Sequence, residues 1–183
     1  MKNKSRKFFF WLFIVLIFNF TFLFSVYGED TIEKTGSIFQ IVLPSTALGF
    51  TIYKKDKEGT KQFLKSFVTT VGITYALKYS INAKRPNGGE HSFPSGHTSA
   101  AFSGASFLQR RYGWKYGLPA YLIASFVAWS RVYTKNHYVH DVVAGALIGI
   151  ISTYVFTKPY AQNITITPFV QKNHFAILIY KNF

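Results

Sequence analysis

Six apolar runs alternate with short polar connections along this chain, and no other feature constrains its fold as tightly. They cover about Phe8–Val26, Ile38–Tyr53, Phe63–Ile81, His97–Leu108, Tyr116–Val132 and Val142–Phe156. Runs of about 15–19 residues make helices of roughly 22–28 Å, close to the thickness of a bilayer's hydrocarbon core. Only 15% of the residues carry charge, against about a quarter in soluble domains, so lipid is part of the expected solvent. A chain that is 49% hydrophobic is also not a disordered one. The predicted fold is therefore an all-α, six-helix transmembrane bundle. His97–Leu108 is the least hydrophobic run, and its Ser, Ala and Gly residues suit a helix packed tightly among others. Gly145 and Gly149, four residues apart, read as ordinary close packing of the last helix.

Two alternatives stand for residues 1–28. Lys2, Lys4, Arg6 and Lys7 before an apolar core, with Ser25 and Gly28 near its end, fit a cleaved signal peptide. The run's length fits a first transmembrane helix equally well. Lys54, Lys55, Lys57, Lys61 and Lys65 flank the second connection, and Arg110, Arg111 and Lys115 form the fourth, which places both in the cytoplasm. The connections Lys84–Gly96 and Arg131–Asp141 then share the outer side. Residues 29–158 make up the expected helical bundle. Residues 159–183 form a tail in which alternation over Asn163–Thr167 and the strand-prone Phe175–Tyr180 predict a short β-hairpin. A membrane β-barrel would need many such strands, and none precede this pair. The net charge of +14 follows membrane topology rather than nucleic acid. Absence of cysteine excludes disulfides, thiolate metal sites and a Cys nucleophile.

Nearly all the chemically capable residues fall in or beside the outer connections. Lys78 and Arg85 lie seven apart, two helical turns, and are predicted to share one face of a helix that Pro86 stops. Ser95 is placed to cap the next helix, and Gly96 permits close backbone approach at a helix N-terminus that can hold an anion. Arg131 adds a third cation. Asp141, the only carboxylate after Glu90, lies four residues after His137, so on a helical turn it can hold one ring N–H and support the imidazolium. His97 sits at the opposing helix start. This set suits phosphoryl transfer. His137 would attack phosphorus, Asp141 would stabilise the charged ring, and His97 would protonate the leaving oxygen and then activate water. Lys78, Arg85, Arg131 and the Ser95-Gly96 amides would neutralise the phosphoryl oxygens without a metal ion.

Three segments, Lys78-x6-Arg85-Pro86, Pro94-Ser95-Gly96-His97 and Ser130-Arg131-x5-His137-x3-Asp141, resemble the signature motifs of the type-2 phosphatidic acid phosphatase superfamily, which includes vanadium-dependent haloperoxidases. The resemblance spans about Phe63–Phe156. It implies a six-helix bundle, no cofactor, a phosphohistidine intermediate and a lipid phosphate or lipid pyrophosphate substrate. It likewise implies His137 as nucleophile, His97 as acid and base, Asp141 as its orienting partner, and Lys78, Arg85, Ser95, Gly96 and Arg131 as phosphate ligands. The expected setting is a bacterial inner membrane with the site facing the periplasm, and the expected partners are the phosphorylated lipid and membrane lipids, with no nucleic acid.

Each residue also has a plainer reading. Lys84 and Lys135 read as headgroup contacts, and His91 and His140 as solvated loop residues, with His140 turned about 100° from Asp141 on a helix. Zinc held by His91, His97, His137, His140 and Asp141 is disfavoured because the neighbouring cations would repel it. Tyr79, Trp129, Tyr133 and Tyr138 read as an aromatic belt. The competing functions are a vanadate-dependent haloperoxidase and a non-catalytic phospholipid-binding protein. Many spans with minimal loops favour the lipid substrate over the first, and the His97, His137 and Asp141 set disfavours the second.

Overall fold

The structure, a computed structural model, describes residues 28–160, 164–171 and 174–181, the last two stretches as backbone. The run over Phe8–Val26, expected as a signal peptide or a first span, lies outside these residues. Residues 28–160 are all-helical and contain five helices rather than six: α1 (Glu29–Tyr53), α2 (Lys57–Ile81), α3 (Gly96–Tyr112), α4 (Trp114–Tyr133) and α5 (Val139–Phe156). Beyond them β1 (Ile164–Gln171) pairs antiparallel with β2 (His174–Lys181), Ile164 opposite Lys181.

The helices outrun the apolar segments that announce them. Glu29, Asp30 and Glu33, which precede the apolar run that begins at about Ile38, lie in the first turns of α1, with Glu29 and Asp30 where the N-terminal partial charge favours carboxylates. Asp56 starts α2 by accepting the Gly59 N–H at 2.8 Å. Apolarity marks the stretch that meets lipid, whereas backbone hydrogen bonding continues into polar turns until a cap ends it. Among the described residues, only α1 and α5 are both long and apolar enough to cross a membrane by length and composition alone. The others are diluted by inward-facing polar residues. Thr70, Ser103, Ser106 and Ser130 are fully buried, while Ile41, Val68 and Val155 are 62%, 67% and 69% exposed. A soluble bundle arranges these classes the other way round, so the outer surface is built for hydrocarbon.

Helix α3 packs against all four other helices. It can do so because its neighbours approach at small residues. A Cβ on Gly104 would stand 2.7 Å from the Leu43 carbonyl carbon, and Cβ atoms on Gly145 and Gly149 would stand 2.5 Å from the Ser95 and Ser99 carbonyl oxygens. Gly145 therefore presses α5 onto the start of α3, where Ser95 and Gly96 sit. The apolar core runs through Leu43, Ala47, Phe63, Ala105, Phe107, Ala124 and Val127.

Candidate active site

Helix α2 ends at Asn82, whose left-handed backbone (φ 45°, ψ 45°) turns the chain away from the helix. Asn tolerates that conformation better than most residues. This corrects the sequence-based expectation: Pro86 does not stop the helix, and Lys78 and Arg85 do not share a helical face. Arg85 instead sits in a turn, where its N–H donates to the Gly89 carbonyl at 2.7 Å and its Nε to the Glu90 carbonyl at 3.0 Å. Lys78 Nζ donates to the His91 carbonyl at 2.6 Å. Both cations thereby brace the connection and still reach one cavity.

Ser95 caps α3 as expected, accepting from the Thr98 N–H at 3.5 Å and the Thr98 hydroxyl at 3.0 Å. Its own N–H donates to the Asp141 carbonyl at 3.0 Å, which ties the start of α3 to the start of α5. His97 Nε2 lies 3.4 Å from Ser37 Oγ on α1. Ser37 gives its proton to the Glu33 carbonyl at 3.0 Å, so towards His97 it can only accept. Arg131 reaches the same group: its guanidinium donates to the Glu33 carbonyl at 2.5 Å and to Ser37 Oγ at 3.4 Å.

His137 precedes α5 and is held by its own backbone and by its neighbour Asn136. Its N–H donates to the Arg131 carbonyl at 3.1 Å, and Asn136 Oδ1 accepts from Asn87 at 3.2 Å across the two outer connections. Its Nδ1 lies 3.4 Å from Asp141 Oδ2, the pairing expected from their spacing. That oxygen also accepts from the Tyr138 N–H at 3.0 Å and from Ser92 Oγ at 2.5 Å. Burial, together with the positive charges of Arg85 and Lys78, pulls the His137 imidazole down to about 4, against the opposing pull of Asp141. A ring so placed keeps a lone pair at neutral pH. Its protonation, followed by NMR of labelled histidine, is expected to have a midpoint near 4. In Arg85→Ala the midpoint moves to higher pH because a repelling charge is gone, and an unmoved midpoint would reject that coupling.

Lys78, Arg85, Gly96, His97 and His137 line one cavity of about 500 Å³, together with Gln40, Thr74, Glu90, His91 and Ser99. Arg131, Ser95 and Asp141 are not among its lining residues and support it from behind. A second, apolar cavity of about 460 Å³ shares Gln40 and Ala100 with the first and continues between α1 and α2 past Pro44, Leu48, Phe63 and Phe67. Among the described residues no group of three or more His, Cys, Asp or Glu side chains is arranged to hold a metal ion.

Two histidines differ from their expected places. His91 lines the cavity, its ring edge-on to Tyr79 at 4.9 Å. His140 is 69% exposed yet brings Nε2 to 3.1 Å from Asp141 Oδ1, without hydrogen-bond geometry, and its ring stacks flat on Tyr138. Sequence reasoning also missed Ser37, Gln40 and Ser92. Ser92 has the nearest thing to a signal, three residues ahead of the Ser95 cap, but nothing local aims it at Asp141.

The sequence profile of the PAP2 superfamily matches residues 43–164. The lipid A 4'-phosphatase of Helicobacter pylori is 30% identical over 145 residues, covering 73% of this chain and 73% of its own. The crystal structure of Aquifex aeolicus LpxE superposes with a TM-score of 0.62 at 23% identity, over 72% of this chain and 87% of that one. The transmembrane PAP2-type phosphatidylglycerolphosphate phosphatase of Bacillus subtilis superposes with a TM-score of 0.56 at 26% identity, over 70% and 72%.

Proposed function

This chain belongs to the PAP2 superfamily and is a membrane phosphatase, and from that premise we propose that it hydrolyses a lipid phosphate or lipid pyrophosphate through a phosphohistidine on His137, without a metal ion. One observation carries the reading: the imidazoles of His97 and His137, with that of His91 beside them, and two cations face a single cavity, and the His137 ring is backed by a carboxylate. His137 Nε2 forms the bond to phosphorus while the bond from phosphorus to the lipid oxygen breaks, and His97 gives that oxygen its proton. Water then attacks phosphorus, His97 takes its proton, and the N–P bond breaks to release phosphate. Lys78, Arg85 and the Gly96 N–H meet the phosphoryl oxygens, with Arg131 adding charge from behind and Ser95 holding the helix start. A fixed cluster of cations does the electrostatic work that a divalent ion does elsewhere.

The adjoining apolar cavity between α1 and α2 supports a substrate with an acyl chain, since a lipid diffusing in the bilayer meets that cleft sideways. In the same reading, residues 1–28 supply a sixth helix or a removed signal peptide, the paired strands form a cytoplasmic hairpin, and the cavity faces the periplasm of a bacterial inner membrane. The test is phosphate release by the full chain in detergent, with chelator, from phosphatidate, phosphatidylglycerol phosphate, a polyprenyl pyrophosphate and a lipid A. Release from at least one is expected to persist in chelator. Loss on chelation would overturn the metal-free mechanism, and release from none would overturn the lipid reading. Intact cells are expected to hydrolyse an impermeant short-chain lipid phosphate added outside, and activity appearing only on lysis would reverse the orientation.

A further inference from the structure

We propose that Ser92 is a positioning residue for this reaction, one that locks the Asp141 carboxylate and thereby the His137 ring, so that Nε2 is the free nitrogen. The proposal rests on His137 being the nucleophile.

Ser92 is fully buried. Its Oγ stands 2.5 Å from Asp141 Oδ2 and 3.4 Å from His137 Nδ1. A carboxylate only accepts, so the serine's single proton points to Asp141, and towards His137 the hydroxyl can only accept. Nδ1 therefore faces two oxygen acceptors, Ser92 Oγ and Asp141 Oδ2, both at 3.4 Å. The hydrogen is assigned to Nδ1 on that ground, which leaves the lone pair on Nε2, on the opposite side of the ring.

The serine also restrains the carboxylate. Asp141 Oδ1 meets the exposed His140 ring at 3.1 Å without hydrogen-bond geometry, so among the described residues the hydrogen bonds that hold the carboxylate from outside the His137 ring, those of Ser92 and the Tyr138 N–H, both fall on Oδ2. Ser92 is itself anchored, its N–H donating to the Ala83 carbonyl at 2.8 Å. Without the hydroxyl, the carboxylate would keep one backbone hydrogen bond, from the Tyr138 N–H, beside its two imidazole neighbours, and the His137 ring would lose one of its two acceptors. Phosphorylation at Nε2 makes the ring cationic and its Nδ1–H more acidic. The forked acceptor is therefore worth most as the N–P bond forms, so losing it slows turnover rather than weakening binding.

Ser92→Ala in the full chain, assayed on dioctanoyl phosphatidate in detergent, is expected to lower kcat by about 10–100-fold. KM is expected to stay within about two-fold, because the serine supports an interaction that is strongest in the transition state. In an Asp141→Asn background the same change is expected to cost clearly less than it does in the wild type, because most of the serine's effect passes through that carboxylate. If Ser92→Ala does not accumulate folded, Ser92→Cys keeps the shape with a weak donor and serves the same comparison. A raised KM with unchanged kcat, or losses that multiply in the double variant, would overturn the proposal. A His137→Ala variant that still turns over would remove the nucleophile and this inference together. An inactive His137→Ala beside an unaffected Ser92→Ala would remove the inference alone.

Discussion

Replacing His137 by alanine is expected to cut turnover by at least ~10⁴-fold while the lipid phosphate still binds, because the change removes the bond-forming atom and leaves Lys78 and Arg85 in place. The side chain is 2% exposed and lies against Asp141 and Ser92, so the loss is chemical provided the variant folds, which its unfolding midpoint reports. Acid-labile phosphate on the protein, trapped from a labelled substrate, separates the roles of the two histidines. His137→Ala is expected to trap none. His97→Ala, which lacks the base for the second step, is expected to accumulate phosphoenzyme when the leaving group is good enough to depart unprotonated, as with a nitrophenyl phosphate. Phosphoenzyme on His137→Ala, or substantial residual turnover, would reassign the nucleophile.

Asp56→Ala is expected to destabilise the bundle by about 3–5 kcal/mol, as removal of one partner from a buried ion pair does. Asp56 sits at the opposite end of the helices from the candidate site, before α2. Its carboxylate accepts from Arg111 Nε at 2.7 Å and terminal nitrogen at 2.6 Å, from Tyr112 at 2.8 Å and from the Gly59 N–H at 2.8 Å. Arg111 is 7% exposed and also donates to the Lys158 carbonyl at 2.9 Å and the Pro159 carbonyl at 3.2 Å, so one carboxylate gathers the starts of α2 and of the tail around the end of α3. Alanine would leave that guanidinium buried and α2 uncapped. Burial pushes the carboxyl's pKa up, but the hydrogen bonds from Arg111, Gly59 and Tyr112 outweigh it and hold the group below its ordinary value. The sign follows: the pair's stabilisation is complete above a pH of about 4, the unfolded carboxylate range, and is lost as pH falls through the lower folded value. Thermal unfolding of wild type and Asp56→Ala across that window should converge at low pH. A gap that stayed constant would mean the pair contributes no charge-dependent stability.

The apolar runs located all five described helices, because a segment that meets lipid must satisfy its backbone internally and so becomes helical whatever surrounds it. The ends were less legible. Asn82 stops α2 three residues before Arg85, and no apolar pattern marks a left-handed turn. Lys78 and Arg85 were paired for the wrong geometric reason and still meet, because the connection folds back through Gly88 and Gly89 rather than continuing the helix. His137 and Asp141 were legible as a pair since four residues on a helical turn is a fixed local distance, and the structure sets Nδ1 and Oδ2 3.4 Å apart.

By itself the sequence determined much of what depends on near neighbours: the course of the five described helices though not their ends, the capping Ser95, the His137–Asp141 spacing and the excess of cations. Only tertiary structure decided which of these share a cavity. Ser92 lies 49 residues from Asp141, and Ser37 lies 60 from His97. No periodicity couples positions that far apart, because their meeting depends on how closely α1, α3 and α5 can approach. That approach is set by glycines 104, 145 and 149, whose missing side chains let the backbones touch.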